Sequence, residues 1–140
     1  MVRKPSKHQI HWMSLSTLQP SQLYINKEKL SVLQSEIDFS DRKNIPPIPV
    51  KDLDDRWVMT DGHTRAFAVY LAGNTRLPVY LDEDELDWEA YRICVRWCRE
   101  AGIESVADLQ DRVISPERYK LLWLDRCLQM QNRLAVKRKS

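Results

Sequence analysis

The chain has 140 residues, a net charge of +2 and 43% hydrophobic residues, with five Trp and five Tyr. That is apolar material for one domain with a core and excludes a disordered chain; no window approaches the roughly 18 apolar residues of a membrane span. The charge is even along the chain, with 11 Lys+Arg against 10 Asp+Glu in residues 1–83 and the same in 84–140, short of the one-sided basic face of nucleic-acid modules.

The N-terminus, "MVRKPSKHQIHWMSLS", is basic but has neither an apolar leader core nor a small-residue cleavage site, so a cytoplasmic location is expected. Residues 1–17 read as a flexible arm, and the pair His8 and His11 as surface histidines. After a turn at Leu18–Pro20, Asn26 reads as the N-cap of an amphipathic helix with Leu30, Leu33 and Ile37 on one face. The prolines at 46, 47 and 49 force extended geometry, and Ile48 and Val50 alternate as in a short strand. "DLDD" is an acidic turn, and Trp57 to Thr60 is a second β-type run. His63 to Ala72 has a broad apolar face and ends at Gly73, a left-handed C-cap signal. "RLPVYL" reads as a further strand, with Pro78 placing its start at a sheet edge.

Residues 84–140 read as helical throughout. Asp87 caps a helix that stops at Gly102, with Trp88, Tyr91, Cys94, Val95 and Cys98 on one face. Ser105 and Asp108 form a capping-box variant; Ser115 followed by Pro116 starts the last helix, and "VKRKS" is a frayed basic tail. The three cysteines, Cys94, Cys98 and Cys127, cannot all pair, so reduced thiols are expected. Cys94 and Cys98 lack a second ligand pair and read as small buried hydrophobes, not as a metal site. "DEDELD" is a solvated, helix-capping acidic run. The helix from Trp88 to Ala101 is apolar on more than one face, which predicts a homodimer through the C-terminal helices.

The stretch "WVMTDGHTRAFAVYLAGN" carries the chemistry. Gly62 allows a tight turn and close backbone approach, and the helix that follows begins with unpaired N–H groups at a positive dipole end. Arg65 adds a guanidinium, Thr64 a hydroxyl and His63 a titratable donor. Together these suffice to hold a phosphate. The alternative is a plain strand-to-helix connection, in which Asp61 caps the helix and Arg65 pairs with a carboxylate.

In order of elements, "LQPSQLYINKEKLSVLQSEI", "PPIPV", "WVMTDGHTRAFAVYLAG" and "RLPVYL" resemble the ParB/sulfiredoxin-like superfamily, which includes ParB N-terminal domains, sulfiredoxins and free-serine kinases. The resemblance covers Leu18 to about Leu81, and its specific part is "DGHTRAFA", which looks like the family's Gly-x-x-Arg box. It implies an α+β domain over 18–83 with a small mixed sheet, and a helical C-terminal extension, 84–140, packed on it. It implies that Gly62, His63, Thr64 and Arg65 contact nucleotide phosphates, and that Asp61 stands near a metal or substrate hydroxyl. Asp61 and His63 are thereby the catalytic candidates, and Mg²⁺ with ATP, ADP or CTP the cofactor. The chain also departs from the family. His63 stands where sulfiredoxins have their catalytic cysteine, and Ser21 and Gln22 stand where the kinases have an acidic base. Residues 84–140 are too short for a ParB DNA-binding and dimerisation region and lack a basic recognition helix. The expected function is a nucleotide- or phosphate-binding domain, with Mg²⁺-dependent phosphoryl transfer to a small hydroxyl substrate as its chemistry. The alternatives are a non-catalytic regulatory module and a nucleic-acid-associated protein of partition or nuclease type.

Overall fold

The structure, a computed structural model, describes residues 9–140. It is a mixed α+β fold. Its main sheet has five strands: β1 (His11–Ser14), β2 (Leu18–Gln19), β4 (Ile48–Leu53), β5 (Arg56–Met59) and β6 (Arg76–Leu81), in the order β1-β6-β4-β5-β2. β1 runs antiparallel to β6 and β4 antiparallel to β5, whereas β4–β6 and β2–β5 are parallel. A separate parallel pair joins β3 (Ile25–Asn26) to β7 (Val113–Ile114).

The local signals in the sequence account for most of these elements. In α1 (Lys27–Glu36) the Asn26 side chain accepts from the N–H groups of Glu28 and Lys29, as an N-cap does. The β4–β5 hairpin turns through Asp54 and Asp55, both left-handed at φ 53° and 65°, the backbone of a two-residue type I′ turn that short polar residues tolerate. In α3 (Trp88–Glu100) the Asp87 carboxylate accepts from the N–H of Ala90. Ser115 caps α4 (Pro116–Tyr119), and the chain continues through a π-helical turn, Lys120–Leu124, into α5 (Asp125–Lys139).

Four expectations differ from what forms. Residues 1–8 of the expected arm, His8 among them, lie outside the described residues, but His11–Ser14 is an edge strand and Leu15 is buried behind it. The 84–140 segment is not helical throughout: β7 crosses back to pair with β3, and Val106–Leu109 is a 3₁₀ turn. Pro78 sits in an interior strand, and the loss of its N–H is tolerated because pairing with β4 begins one residue later, at Val79. The basic tail is helical to Lys139, where Arg138 binds Asp87 through two hydrogen bonds of 3.0 and 2.9 Å and Glu89 at 2.9 Å.

One apolar cluster runs through both halves of the chain. It joins Leu18, Ile48, Met59, Phe67 and Val79 to Cys98, Val106, Leu109, Trp123 and Met130. Phe67, from α2 (His63–Leu71), is 2% exposed, and burying a side chain of this size is worth about 2–3 kcal/mol. This continuous packing of α3 and α5 against the sheet and α2 places the helical extension over the turn that starts α2. A smaller cluster of Leu53, Val58 and Val95, flanked by Trp88 and Tyr91, fixes α3 against the β4–β5 hairpin.

Candidate functional site

The chain leaves β5 at Met59 and enters α2 at His63, so three residues, Thr60 to Gly62, must reverse its course. Gly62 does so at φ +76°. A Cβ there would lie 3.2 Å from Cγ2 of Ile48, so both the left-handed backbone and the contact with β4 call for glycine. Among the described residues no side chain caps the N-terminus of α2. Asp61, which the capped-turn reading makes the N-cap, instead accepts the N–H of its neighbour Gly62 at 2.8 Å and is exposed.

His63 points inward. It is 4% exposed, and its Nε2 accepts the backbone N–H of Ser21 at 2.9 Å. The Ser21 hydroxyl in turn donates to the carbonyl of Met59 at 2.7 Å, tying the segment after β2 over the end of β5. Burial lowers the His63 pKa from 6.5 to about 4, against the pull of Asp61. The ring is therefore neutral at pH 7 with its Nε2 lone pair already used. Thr64 is also buried. Arg65 donates from Nη1 to the carbonyl of Pro47 at 2.9 Å.

Residues outside the motif complete the site. The Thr60 hydroxyl donates to Oδ2 of Asp82 at 2.6 Å, and Oδ1 of Asp82 accepts the N–H of Asp84 at 3.0 Å. Asp82 is thus a buried, hydrogen-bonded carboxylate, 9% exposed, and not part of a solvated run. From α3, the Tyr91 hydroxyl donates to the Thr60 carbonyl at 2.8 Å; burial, then the charges of Asp61 and Asp82, push its pKa up to about 12. Tyr80 is also raised, first by burial and then by Asp82, with Arg65 opposing.

The turn divides its residues between two surroundings. Asp61 and His63 line a cleft of about 200 Å³ with Ser21, Tyr91, Cys94 and Cys127, roofed by α3 and α5. Gly62, Thr64 and Arg65 are not among its walls; Arg65 lies toward Pro47 and Tyr80. Among the described residues no three His, Cys, Asp or Glu side chains are grouped to hold a metal. A Mg²⁺ ion held mainly by phosphate and water needs only one or two protein carboxylates, and Asp61, with one oxygen engaged by Gly62, fits that requirement. The sequence gives little warning of Thr60, Asp82 and Tyr91, because they come from separate segments, just after β5, just after β6 and in α3; only the adjacency of Thr60 to the motif points there.

No family model matches the chain, and no curated protein does. Among solved structures it is similar to protein Atu1540 from Agrobacterium tumefaciens, with 14% identity and a TM-score of 0.49 over 72% of this chain. The chain spans 61% of that protein's length. Neither a family nor an activity follows from a likeness of this size.

Proposed function

We propose that the turn from Asp61 to Arg65 is a phosphate-binding site of the ParB/sulfiredoxin-like kind, taking a nucleotide with Mg²⁺. The observation that supports this reading is the start of α2 at a left-handed glycine with no side-chain cap, one turn from an arginine that spends one of its five donors on Pro47. Free N–H groups at a positive dipole end attract an anion. Asp61 and Asp82 nearby make a bare phosphate unfavourable, so a cation bridging Asp61 to the ligand belongs to the proposal. Asp61, the exposed member of the two expected catalytic residues, is the group available to accept a proton from a hydroxyl substrate; the neutral His63 has no lone pair free at Nε2.

The test is calorimetric titration of ATP, ADP and CTP with Mg²⁺ into the wild type and Arg65→Ala. Saturable binding, weakened about tenfold or more in the variant, is the expected result, since a hydrogen bond to a charged group is worth about 1.5–3 kcal/mol. No binding of any nucleotide returns the stretch to a strand-to-helix connection. The spent His63 favours a second reading, a regulatory module that binds without turnover. Product formation with a hydroxyl acceptor by the wild type, against nucleotide binding with no turnover, separates the enzyme from the module.

A homodimer through the C-terminal helices belongs to the same proposal. The π-helical turn and α5 expose Leu121, Leu124 and Leu128, spaced as one helical face; a monomeric mass at micromolar concentration would remove it. Among the described residues no helix is long and apolar enough to cross a membrane.

A further inference from the structure

Four arginines meet in a second cleft, of about 420 Å³, between the β4–β5 hairpin and α3. Arg56 comes from β5; Arg92, Arg96 and Arg99 come from α3, where the spacing i, i+4, i+7 puts them on one face. The apolar side chains of Leu53 and Val95 lie among them. Asp54 and Glu100 are the carboxylates in the walls, so four positive groups face two negative ones.

The two outer arginines are held in place. Arg92 donates from Nε to Oδ2 of Asp54 at 3.0 Å, at the left-handed hairpin turn. Arg99 donates from Nη1 to Oε1 of Gln19 at 3.0 Å. Gln19 is 3% exposed, and its Nε2 donates to the carbonyls of Pro20 and Ile103, both at 2.9 Å. A buried amide fixed on both sides therefore offers its oxygen to orient one guanidinium. Between these two, Arg56 and Arg96 have no ion pair or side-chain hydrogen bond among the described residues. With Glu104 also 3.7 Å from Arg99, three carboxylates stand against four guanidiniums, an excess of positive charge that is unfavourable in the free protein and becomes favourable when an anion arrives.

We propose that this cleft binds a small organic phosphate carrying two or more negative charges, of the diphosphate or phosphate-ester class. Planar guanidinium forks match phosphate oxygens in pairs, and the volume lies in the range of small-ligand pockets. The acids decide between a compact ligand and a running polyanion. Asp54 closes the Arg92 end, and Glu104, 3.7 Å from Arg99, stands with Glu100 at the other. A nucleic-acid backbone leaving either end would meet a carboxylate. This site is separate from the turn at Asp61 and does not depend on it.

Inorganic pyrophosphate titrated calorimetrically at low salt into the full chain tests the inference, in the wild type, Arg56→Ala/Arg96→Ala and Arg65→Ala. One site per chain is expected, weakened about tenfold or more in the double variant and unchanged in Arg65→Ala. Both replaced side chains are exposed; an Arg56→Gln/Arg96→Gln protein serves the same comparison if the alanine variant does not fold. Absence of saturable binding up to about 1 mM, equal affinity in the double variant, or loss in Arg65→Ala would overturn it. Tighter binding of a single-stranded oligothymidylate through the same two arginines would overturn it too, by making the cleft a nucleic-acid surface.

Discussion

Nε2 of His63 accepts the backbone N–H of Ser21 at 2.9 Å, linking residues 42 apart in the chain. A backbone N–H can only donate, so the imidazole must present a lone pair there and carry its proton on Nδ1. The residue placed by the sequence among the phosphate contacts thus holds the segment after β2 against the end of β5.

Protonating His63 breaks that arrangement, which sets a pH dependence. The folded pKa, about 4, lies below the ordinary 6.5. Between these values the unfolded chain binds a proton that the native chain does not, so stability falls as pH drops from 6.5 toward 4. From pH 7 to pH 5 the loss is on the order of 2 kcal/mol. Urea unfolding at the two pH values reads it directly, and His63→Gln, which keeps an acceptor, is expected to remove most of the difference. A wild type equally stable at both would show the ring is not the buried neutral group described.

Gly62 and Gly102 both have positive φ, 76° and 80°, but only Gly62 has a neighbour where a Cβ would go. Gly102→Ala is expected to cost the left-handed strain alone, about 1–2 kcal/mol. Gly62→Ala adds crowding against Ile48 and is expected to cost more. Denaturant midpoints of the two variants compare them, and equal losses would mean that Ile48 moves aside freely.

Thr60 joins the motif to Asp82 and Tyr91. Thr60→Val keeps the shape but leaves one oxygen of a buried carboxylate without its 2.6 Å partner, an expected loss of about 1.5–3 kcal/mol. Tyr91→Phe removes one neutral hydrogen bond to the Thr60 carbonyl, an expected loss of about 1 kcal/mol. Thermal unfolding that ranks Tyr91→Phe as the more damaging change would contradict this ordering.

The surroundings of the three cysteines set an expected order of reactivity. Cys127 is held below the ordinary thiol range, first by the Cys94 thiol that donates to it and then by Arg126. Cys98 is pushed up to about 12 by burial, and Cys94 is raised by the same hydrogen bond that lowers its partner. Because the thiolate is the nucleophile, limited iodoacetamide at pH 7.5 (about one equivalent) is expected to label Cys127 first, as read by peptide mass spectrometry. Cys94→Ala is expected to slow that labelling; faster labelling of Cys98 would contradict the order.

What the sequence determined by itself is what a few neighbouring residues decide. Asn26, Asp87 and Ser115–Pro116 mark helix starts because capping needs only groups two or three positions apart. Gly62 marks the turn because a left-handed backbone requires it. The α+β class and the strands β4, β5 and β6 follow from alternation, prolines and turn residues in the same local way.

The rest was settled by pairings between distant segments, which leave no periodic trace. β1, only four residues long, reads as part of an arm until β6 supplies its partner, and the two-residue strands β3 and β7 exist only through each other. Asp82 looks like one acid in a solvated run until Thr60 reaches it, and the burial of His63 follows from a partner, Ser21, that lies 42 residues away in the chain. The arginines of α3 are separated by apolar residues in the sequence. Their charge becomes concentrated only when the helix face meets Arg56 and the fold carries Gln19 to Arg99, because electrostatic fields depend on distance in space and not along the chain.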